Sequence, residues 1–516
     1  AARGVAAFIE DRYGPLDHRR VLVLAGKGNN GGDGLAVARL LAGKGADVRV
    51  ATLATKRNAT EDTALNLRLL EHLEAAEQES LDVAALDTFS DEDGAFDLDA
   101  FERWVYDGHL SLDLIVDALL GIGVQGALRA PIDSLALWMT SAAPVVSVDV
   151  PTGVDSDTGT VHETAVLADH TVTMARPKVG LLFGRGRVYA DEVVTVDIGV
   201  PKHIEDRVMQ MPGCAYLPTD AFVRETLPLR SFEAHKYEAG MALVVAGSNG
   251  YTGAAVLAAQ AAARIGAGYV VCPTTPDAQR AIDAHAPAIA TLGLPTTESG
   301  GIAEAALDAI LERAEKAKSV LIGPGLGRDP ATVRLVHRLL NELATDFPNT
   351  PVVLDADGLN ALAHGDASVW EIAHRYDAPR WVLTPHLGEF RRLVAGSGGD
   401  PDSLDLNRRT WIGPEWAQRW NAVLLLKGAP SVIGQPNDAT FVAASVNSAL
   451  ATAGSGDVLA GSIAGLLAQG AAPSEATVCA LHLGLAVADR YTATRDSRSM
   501  QASDLLELLP EAMRDF

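Results

Sequence analysis

The sequence predicts an α/β fold, two three-layer αβα domains in one chain, and three observations carry that expectation. Short β-rich apolar runs alternate with Ala/Leu-rich helical stretches along all 516 residues. The runs are apolar throughout rather than at every second position, as in parallel strands buried on both faces. The alternation lapses once, near 200–230, where "GVPKHIEDRVMQMPGCAYLPTDAFVRETLPLR" carries proline and charge, and it restarts at Met241.

Taken in order, the predicted strands of the first half are "RVLVLAG" (20–26), "DVRVATL" (47–53), "DLIVDAL" (113–119), "VVSVDVP" (145–151), "HTVTMA" (170–175) and "EVVTVDIG" (192–199). Those of the second half are "MALVVAGS" (241–248), "GYVVCP" (268–273), "SVLIGPG" (319–325), "PVVLDAD" (351–357), "RWVLTP" (380–385) and "AVLLLKG" (422–428). Two sheets fit this spread better than one very long sheet. The expected domains are therefore 1–212, Rossmann-like, and 213–516. The acidic stretch "SDEDGAFDLDAFE" (90–102) reads as a surface insertion.

Composition excludes several classes of function. Hydrophobic residues make up 48%, enough for large buried cores. A net charge of −24 argues against nucleic acid, whose phosphates are met by Lys/Arg clusters. Nine of the 42 basic residues are lysines, a balance that fits either a salt-rich cytoplasm or GC-rich codon usage. No run of about 18 apolar residues is free of charge or turn residues, so no membrane span is expected. The N-terminal stretch shows no signal-peptide architecture. Cys214, Cys272 and Cys479 are widely spaced and form no metal pattern or disulfide framework, which points to a cytoplasmic location.

The stretch "AGKGNNGGDGLAVARLL" (25–41) follows a strand and opens a helix. A glycine-rich turn there places backbone N–H groups at a helix N-terminus, an anion site by geometry and dipole. Gly26, Gly28 and Gly31 satisfy G-x-G-x-x-G, but the second strand ends "VATLAT" (50–55). The acidic residue that would hold a ribose is missing, which argues against nicotinamide redox chemistry. Asn29, Asn30 and Asp33 crowd polar groups into the loop, either as turn formers or to bind a cation or a polar ligand. Asp117 and Asp149 fall at the carboxyl ends of strands, where α/β folds place ligands; the alternative is that they cap helices.

Four motifs in order, "NNGGDG" (29–34), "DALLGIG" (117–123), "VDVPTG" (148–153) and "RPKVGLL" (176–182), resemble the NAD(P)H-hydrate epimerase family across 1–200. The resemblance implies that Asn29, Asn30, Gly31, Gly32 and Asp33 contact hydrated NADH or NADPH. It adds Gly121, Ile122, Gly123, Val124, Gln125, Gly126 and Ala127 to that surface. It implies a potassium ion on Asn30, Asp117 and Thr152. It makes Asp149, which also touches substrate, and Lys178 an acid/base pair; Lys178 alone reads as a surface lysine. The family also carries a helical segment ahead of the residue at which this sequence begins.

In the second half, "ATAGSGDVLAGSIAGLLAQG" (451–470) is the strongest signal. Gly454 and Gly456 let backbone N–H groups face a transferring phosphoryl oxygen. Asp457 is either a helix N-cap or the base that takes a proton from an attacking hydroxyl. A P-loop, G-x-x-x-x-G-K-[ST], appears nowhere. The loop resembles the ribokinase-like superfamily. "HKYEAGMALVVAGSNGYTGAAVLAA" (235–259), "GPGLG" (323–327), "DADGLNAL" (355–362), "TPHLGEF" (384–390) and "LKGAPSVI" (426–433) are similar to its NAD(P)H-hydrate dehydratase branch.

That resemblance implies that Lys427, Gly428, Ala429, Pro430, Ser431 and Gly456 hold ADP or ATP with a magnesium ion. It implies that Ala254, Gly325, His386 and Asp457 hold the hydrate; His386 alone would read as structural. Pro430 and Ser431 stand where the family often has threonine. The expectation is a bifunctional NAD(P)H-hydrate repair enzyme, a homo-oligomer with no nucleic-acid or membrane partner. The alternative is a ribokinase-like kinase for a vitamin or sugar alcohol with an accessory nucleotide-binding domain.

Overall fold

The computed structural model describes residues 1–75, 80–107, 109, 111–230 and 239–516. Residues 235–238, which open the 235–259 motif, lie outside them. The chain divides into two units, Ala1–Val208 and Met209–Phe516.

In the first unit the described strands are β1 (Arg20–Ala25), β2 (Asp47–Thr52), β3 (Leu81–Ala85), β4 (Leu114–Ala118), β5 (Val145–Val148), β6 (His170–Met174) and β7 (Glu192–Val196). They form a sheet in the order β3-β2-β1-β4-β5-β6-β7, with every pairing parallel. Successive side chains of a strand point to opposite faces. Val21, Val23 and Ala25 accordingly pack with Leu35, Val37 and Leu41 of helix Asn29–Ala42. Leu22 and Leu24 pack on the other side with Phe101 and Leu135. The chain steps outward from β1 to β3 and then returns to the other flank of β1 as β4. That reversal opens a crevice at the carboxyl ends of β1 and β4.

The second unit repeats the plan. Its described strands are β8 (Met241–Val245), β9 (Tyr269–Thr274), β10 (Ala290–Gly293), β11 (Ser319–Ile322), β12 (Val352–Leu354), β13 (Trp381–Leu383), β14 (Ala422–Leu426), β15 (Val432–Gly434) and β16 (Phe441–Val442). The order is β10-β9-β8-β11-β12-β13-β14-β15-β16. Ala242 and Val244 face Ala258, Ala262 and Ile463, whereas Leu243 and Val245 face Leu335, Leu339 and Phe390. The order reverses between β8 and β11.

All twelve predicted strands are present, and among the described residues four more accompany them. β3 and β10 are sheet edges, half exposed along most of their length, so they lack a continuous apolar run. β15 and β16 span three and two residues. They pair antiparallel, which corrects the all-parallel expectation for this edge. The acidic stretch 90–102 is also corrected. Asp91–Ala95 are exposed, but Asp97 caps helix Leu98–Tyr106 through Ala100 N (2.9 Å), and Phe101 is fully buried in the core. Its aromatic anchor is hidden among carboxylates in the sequence. None of the described helices is long and apolar enough to cross a membrane.

Candidate active sites

The NNGGDG stretch is helix rather than loop. Helix Asn29–Ala42 starts at its first asparagine, behind the extended backbone of Gly28. Turn formation therefore does not explain these polar residues. Gly31 and Gly32 are buried: a Cβ on Gly31 would stand 1.8 Å from the Gly26 carbonyl oxygen, and one on Gly32 2.6 Å from Thr63 Oγ1. They let the helix lie tight against its surroundings. Asn29, Asn30 and Asp33 are left facing a cavity of about 830 Å³, together with Gly121, Ile122, Gly123, Val124, Gln125, Ala127 and Asp149. Gly126 turns the chain beside this surface with φ 79°. Burial pushes the Asp33 carboxyl up, and the neighbouring Asp149 adds to the effect.

Asp149 follows β5 with φ 67°. A non-glycine residue held there stores about 1–3 kcal/mol, which persists only where the surroundings impose it. Here they do. Its carboxylate accepts from Thr173 Oγ1 (3.1 Å) and Met174 N (3.0 Å), and Lys178 pairs with it. Lys178 Nζ also donates to Thr173 Oγ1 (3.0 Å) and to the Met174 carbonyl (3.0 Å). With its side chain 21% exposed, Lys178 is no surface lysine.

Asp117 lies within β4, fully buried, and caps no helix. It accepts from Thr152 Oγ1 (2.7 Å), Thr152 N (2.9 Å), Ser147 Oγ (2.9 Å) and Leu119 N (3.3 Å). Thr152 Oγ1 in turn accepts from Leu120 N (2.9 Å), and Asn30 Nδ2 donates to the Leu120 carbonyl (2.8 Å). Asn30, Asp117 and Thr152 are thus one contiguous, oxygen-rich group. Burial raises the Asp117 carboxyl while those neutral donors oppose it. A buried carboxylate met by neutral donors, beside carbonyl and hydroxyl oxygens, fits a hard monovalent cation. Among the described residues no cluster of His, Cys, Asp or Glu is arranged for another metal.

At the second site, helix Ser455–Ala468 follows Gly454, whose φ of 88° occupies the N-cap. Asp457 is the third helical residue, so the capping alternative does not hold. The backbone N–H groups of Gly456 and Asp457 meet no backbone acceptor among the described residues. They are free to hold an anion at the positive end of the helix. Lys427 Nζ lies 2.8 Å from Asp355 Oδ1, which also accepts from Thr384 Oγ1 (2.7 Å). Burial opposes the charge on Lys427, but Asp355, joined by Glu389 and Asp457, holds its ammonium above the ordinary lysine value. The Asp457 carboxyl is pushed up to about 7, first by burial and then by Asp355, with Lys427 acting against them. A base poised near neutrality is suited to proton transfer.

Lys427, Gly428, Ala429, Ser431 and Gly456 line a cavity of about 590 Å³ walled by Leu450, Leu459, Leu481, Leu485, Leu505 and Leu509. Pro430 is buried and does not line it. An apolar slot with a cationic, N–H-lined mouth suits a ligand with an apolar body and an anionic end, such as a nucleoside phosphate. Ala254 and Gly325 come together at the reversal between β8 and β11. A Cβ on Gly325 (φ 62°) would stand 3.0 Å from Ala254 Cβ and 2.7 Å from the Tyr251 carbonyl oxygen.

His386 caps helix Leu387–Gly396. Its Nδ1 accepts from Gly388 N (3.0 Å) and Glu389 N (3.3 Å), which leaves the ring proton on Nε2. The structural reading of His386 is thus realised, and more than half of its side chain still faces outward.

A family model described as NAD(P)H-hydrate dehydratase matches residues 242–511, and one described as YjeF-related protein N-terminus matches 1–180. Over 514 residues the chain is 47% identical to the bifunctional NAD(P)H-hydrate repair enzyme Nnr of Salinibacter ruber, covering 99% of this chain and 90% of that protein. The chain belongs to the bifunctional NAD(P)H-hydrate repair enzyme family. A relative of the same name from Moorella thermoacetica is 38% identical, over 99% of this chain and 91% of its own. Among solved structures, the chain is similar to the ADP/ATP-dependent NAD(P)H-hydrate dehydratase of Bacillus subtilis co-crystallized with ATP/Mg2+. The identity is 29% over 58% of this chain and 98% of that one, with a TM-score of 0.47.

Ser147, Thr173, Asp355 and Thr384 of this repair-enzyme chain also bond to the predicted site residues, although no motif role singles them out in the sequence. Asp355 was within reach, because it lies directly after β12, at the same strand-end position that singled out Asp117 and Asp149. The leucine wall of the second cavity carries no signal, since a leucine stripe on a helix reads as ordinary core.

Proposed function

We propose that the N-terminal unit epimerises the R and S hydrates of NADH and NADPH, and that the C-terminal unit dehydrates the S form with ADP or ATP as phosphoryl donor. One observation carries this reading. The strand ends of each sheet carry their own set of motif residues, Asp149 paired with Lys178 in the first unit and Asp457 near Lys427 beside helix N–H groups unbonded among the described residues in the second.

In the first cavity Asn29, Asn30 and the 121–127 segment would hold the hydrated nicotinamide over Asp149 and Lys178. The pair would exchange protons with the hydroxyl-bearing carbon's substituents while the ring opens or releases hydroxide. Such positioned groups each contribute about 10²–10⁴-fold. Potassium on Asn30, Asp117 and Thr152 would supply a fixed positive charge against the buried Asp117 carboxylate.

In the second unit Ala254, Gly325 and His386 would shape the hydrate subsite, and Asp457 would take the proton of the extra hydroxyl as its oxygen attacks the terminal phosphorus. The Gly456 and Asp457 N–H groups and Lys427 would stabilise the transferring phosphoryl oxygens. The nucleotide would leave one phosphate shorter, and a magnesium ion arriving with it would screen phosphate charge. Phosphate then departs from the ring carbon, the ring nitrogen's electron pair takes its place, and loss of a neighbouring ring proton restores reduced nicotinamide. The unpaired thiols of Cys214, Cys272 and Cys479 suit a cytoplasmic enzyme, and we expect it to be a homo-oligomer.

The test is a mixture of R- and S-hydrated NADH with ADP or ATP, followed at the reduced-nicotinamide absorbance band. Complete recovery of NADH is expected. Recovery that stops at the S fraction would refute the epimerase role, and no recovery with either donor would refute the dehydratase role in favour of a small-molecule kinase.

A further inference from the structure

Asp355 is 2% exposed and follows β12 at the second site. It does not line the nucleotide cavity. Its Oδ1 takes two donors, Thr384 Oγ1 at 2.7 Å and Lys427 Nζ at 2.8 Å. Thr384 follows β13 and Lys427 follows β14, so three adjacent strands deliver carboxylate, hydroxyl and ammonium side by side. The backbone secures the same arrangement, with Lys427 N donating to the Pro385 carbonyl at 2.9 Å. On its other side the ion pair abuts helix Ser455–Ala468. A Cβ on Gly456 would stand 3.5 Å from Lys427 Nζ and 3.9 Å from Asp355 Oδ2. A lysine head on a four-carbon stem is mobile unless something holds it. Asp355 holds it, and Thr384 holds Asp355.

We infer that Asp355, oriented by Thr384, is a positioning residue that fixes the Lys427 ammonium over the first turn of helix Ser455–Ala468, where the phosphoryl group passes. The inference rests on the dehydratase reading of this site. A lysine pinned in this way presents a preorganised charge to the transferring group instead of following the nucleotide. The same pair sets the field at Asp457. Among the described residues the charged groups acting there are Asp355, Asp357 and Lys427, with Glu389 acting on Lys427. The two aspartates push the Asp457 carboxyl up and Lys427 pulls it down. Removing Asp355 and removing Lys427 must therefore move the titration of Asp457 in opposite directions.

The experiment measures kcat, KM and the pH profile of NADH recovery from the S hydrate with ADP, for the full-length wild type, Asp355→Asn, Lys427→Met and Thr384→Val. Asp355→Asn is expected to lower kcat about 10–100-fold with little change in the hydrate KM, because a displaced lysine removes stabilisation of the transition state. Its acidic limb moves to lower pH, whereas that of Lys427→Met moves to higher pH. Thr384→Val keeps both charges, so kcat falls while the limb stays in place. If Asp355→Asn loses activity with an unmoved limb, the residue is merely structural and the inference is overturned. If Asp355→Asn does not fold, an unchanged kcat in Thr384→Val overturns it equally. An inactive wild type would overturn the dehydratase reading itself, a result distinct from an active wild type with unmoved limbs.

Discussion

Lys178 reaches back 29 positions to pair with Asp149, and the strands that precede them, β6 and β5, are neighbours in the sheet. Parallel pairing brings the two strand ends level, so residues distant in sequence emerge at one edge. Thr173 and the Met174 carbonyl hold the Lys178 ammonium, and Asp149 is the member of the pair that lines the cavity.

Asp149→Asn and Lys178→Met are each expected to slow interconversion of the R and S hydrates by about 10²–10⁴-fold. Dehydration of the S hydrate should be unchanged, because its residues belong to the other unit. Chromatographic separation of the two epimers over time reads both steps. Retained interconversion in both variants would remove the pair from the mechanism.

Asp457 must be ionised to accept a proton, and its carboxyl is pushed up to about 7. The dehydratase kcat/KM should therefore be at its plateau above neutrality and fall as pH drops through 7, approaching tenfold per unit. Asp457→Asn should leave a residual rate without that limb. A wild-type rate independent of pH between 5.5 and 8, or roughly so, would exclude Asp457 as the base.

Asp117→Ala should act in two ways. It strands the Ser147 and Thr152 donors that now bond to Asp117 inside the protein. Each buried donor left without an acceptor costs about 1–3 kcal/mol, which a thermal melt will show as destabilisation. It should also abolish any dependence of epimerisation on potassium. Exchanging potassium for lithium is expected to slow the wild-type epimerase and leave Asp117→Ala unaffected. Equal rates in the two salts for the wild type would argue against a potassium site on Asn30, Asp117 and Thr152.

Gly325→Val should close the hydrate subsite. Its φ of 62° is unfavourable for a branched side chain, and the new Cβ would stand 2.7 Å from the Tyr251 carbonyl oxygen. The hydrate KM is expected to rise at least about tenfold, with nucleotide affinity and epimerisation preserved. An unaltered hydrate KM would move the subsite away from Gly325.

Local chemistry made much of this protein legible. Apolar runs marked eleven inner strands and the edge strand β7, because a strand buried on both faces has few polar positions. The edge strands β3 and β10 expose part of most of their residues, and their sequences lose the pattern. Asn29, Asn30 and Asp33 were legible as ligand-facing polar residues, yet the segment was misread as a loop. Glycines at 31 and 32 resemble turn chemistry, and only the close approach of Gly26 and Thr63 explains them within a helix.

The sequence by itself determined the α/β class, the two sheets, the strand ends that carry Asp117 and Asp149, and the Asp457 helix start. These follow from periodicity and from backbone rules that act over a few residues. Tertiary structure decided which residues meet. It joined Lys178 to Asp149, enclosed Asp117 with Ser147 and Thr152, and set Asp355 between Thr384 and Lys427. The reason is physical. Parallel sheet order places strands distant in sequence side by side, and burial then gives each charge its partner and its proton affinity.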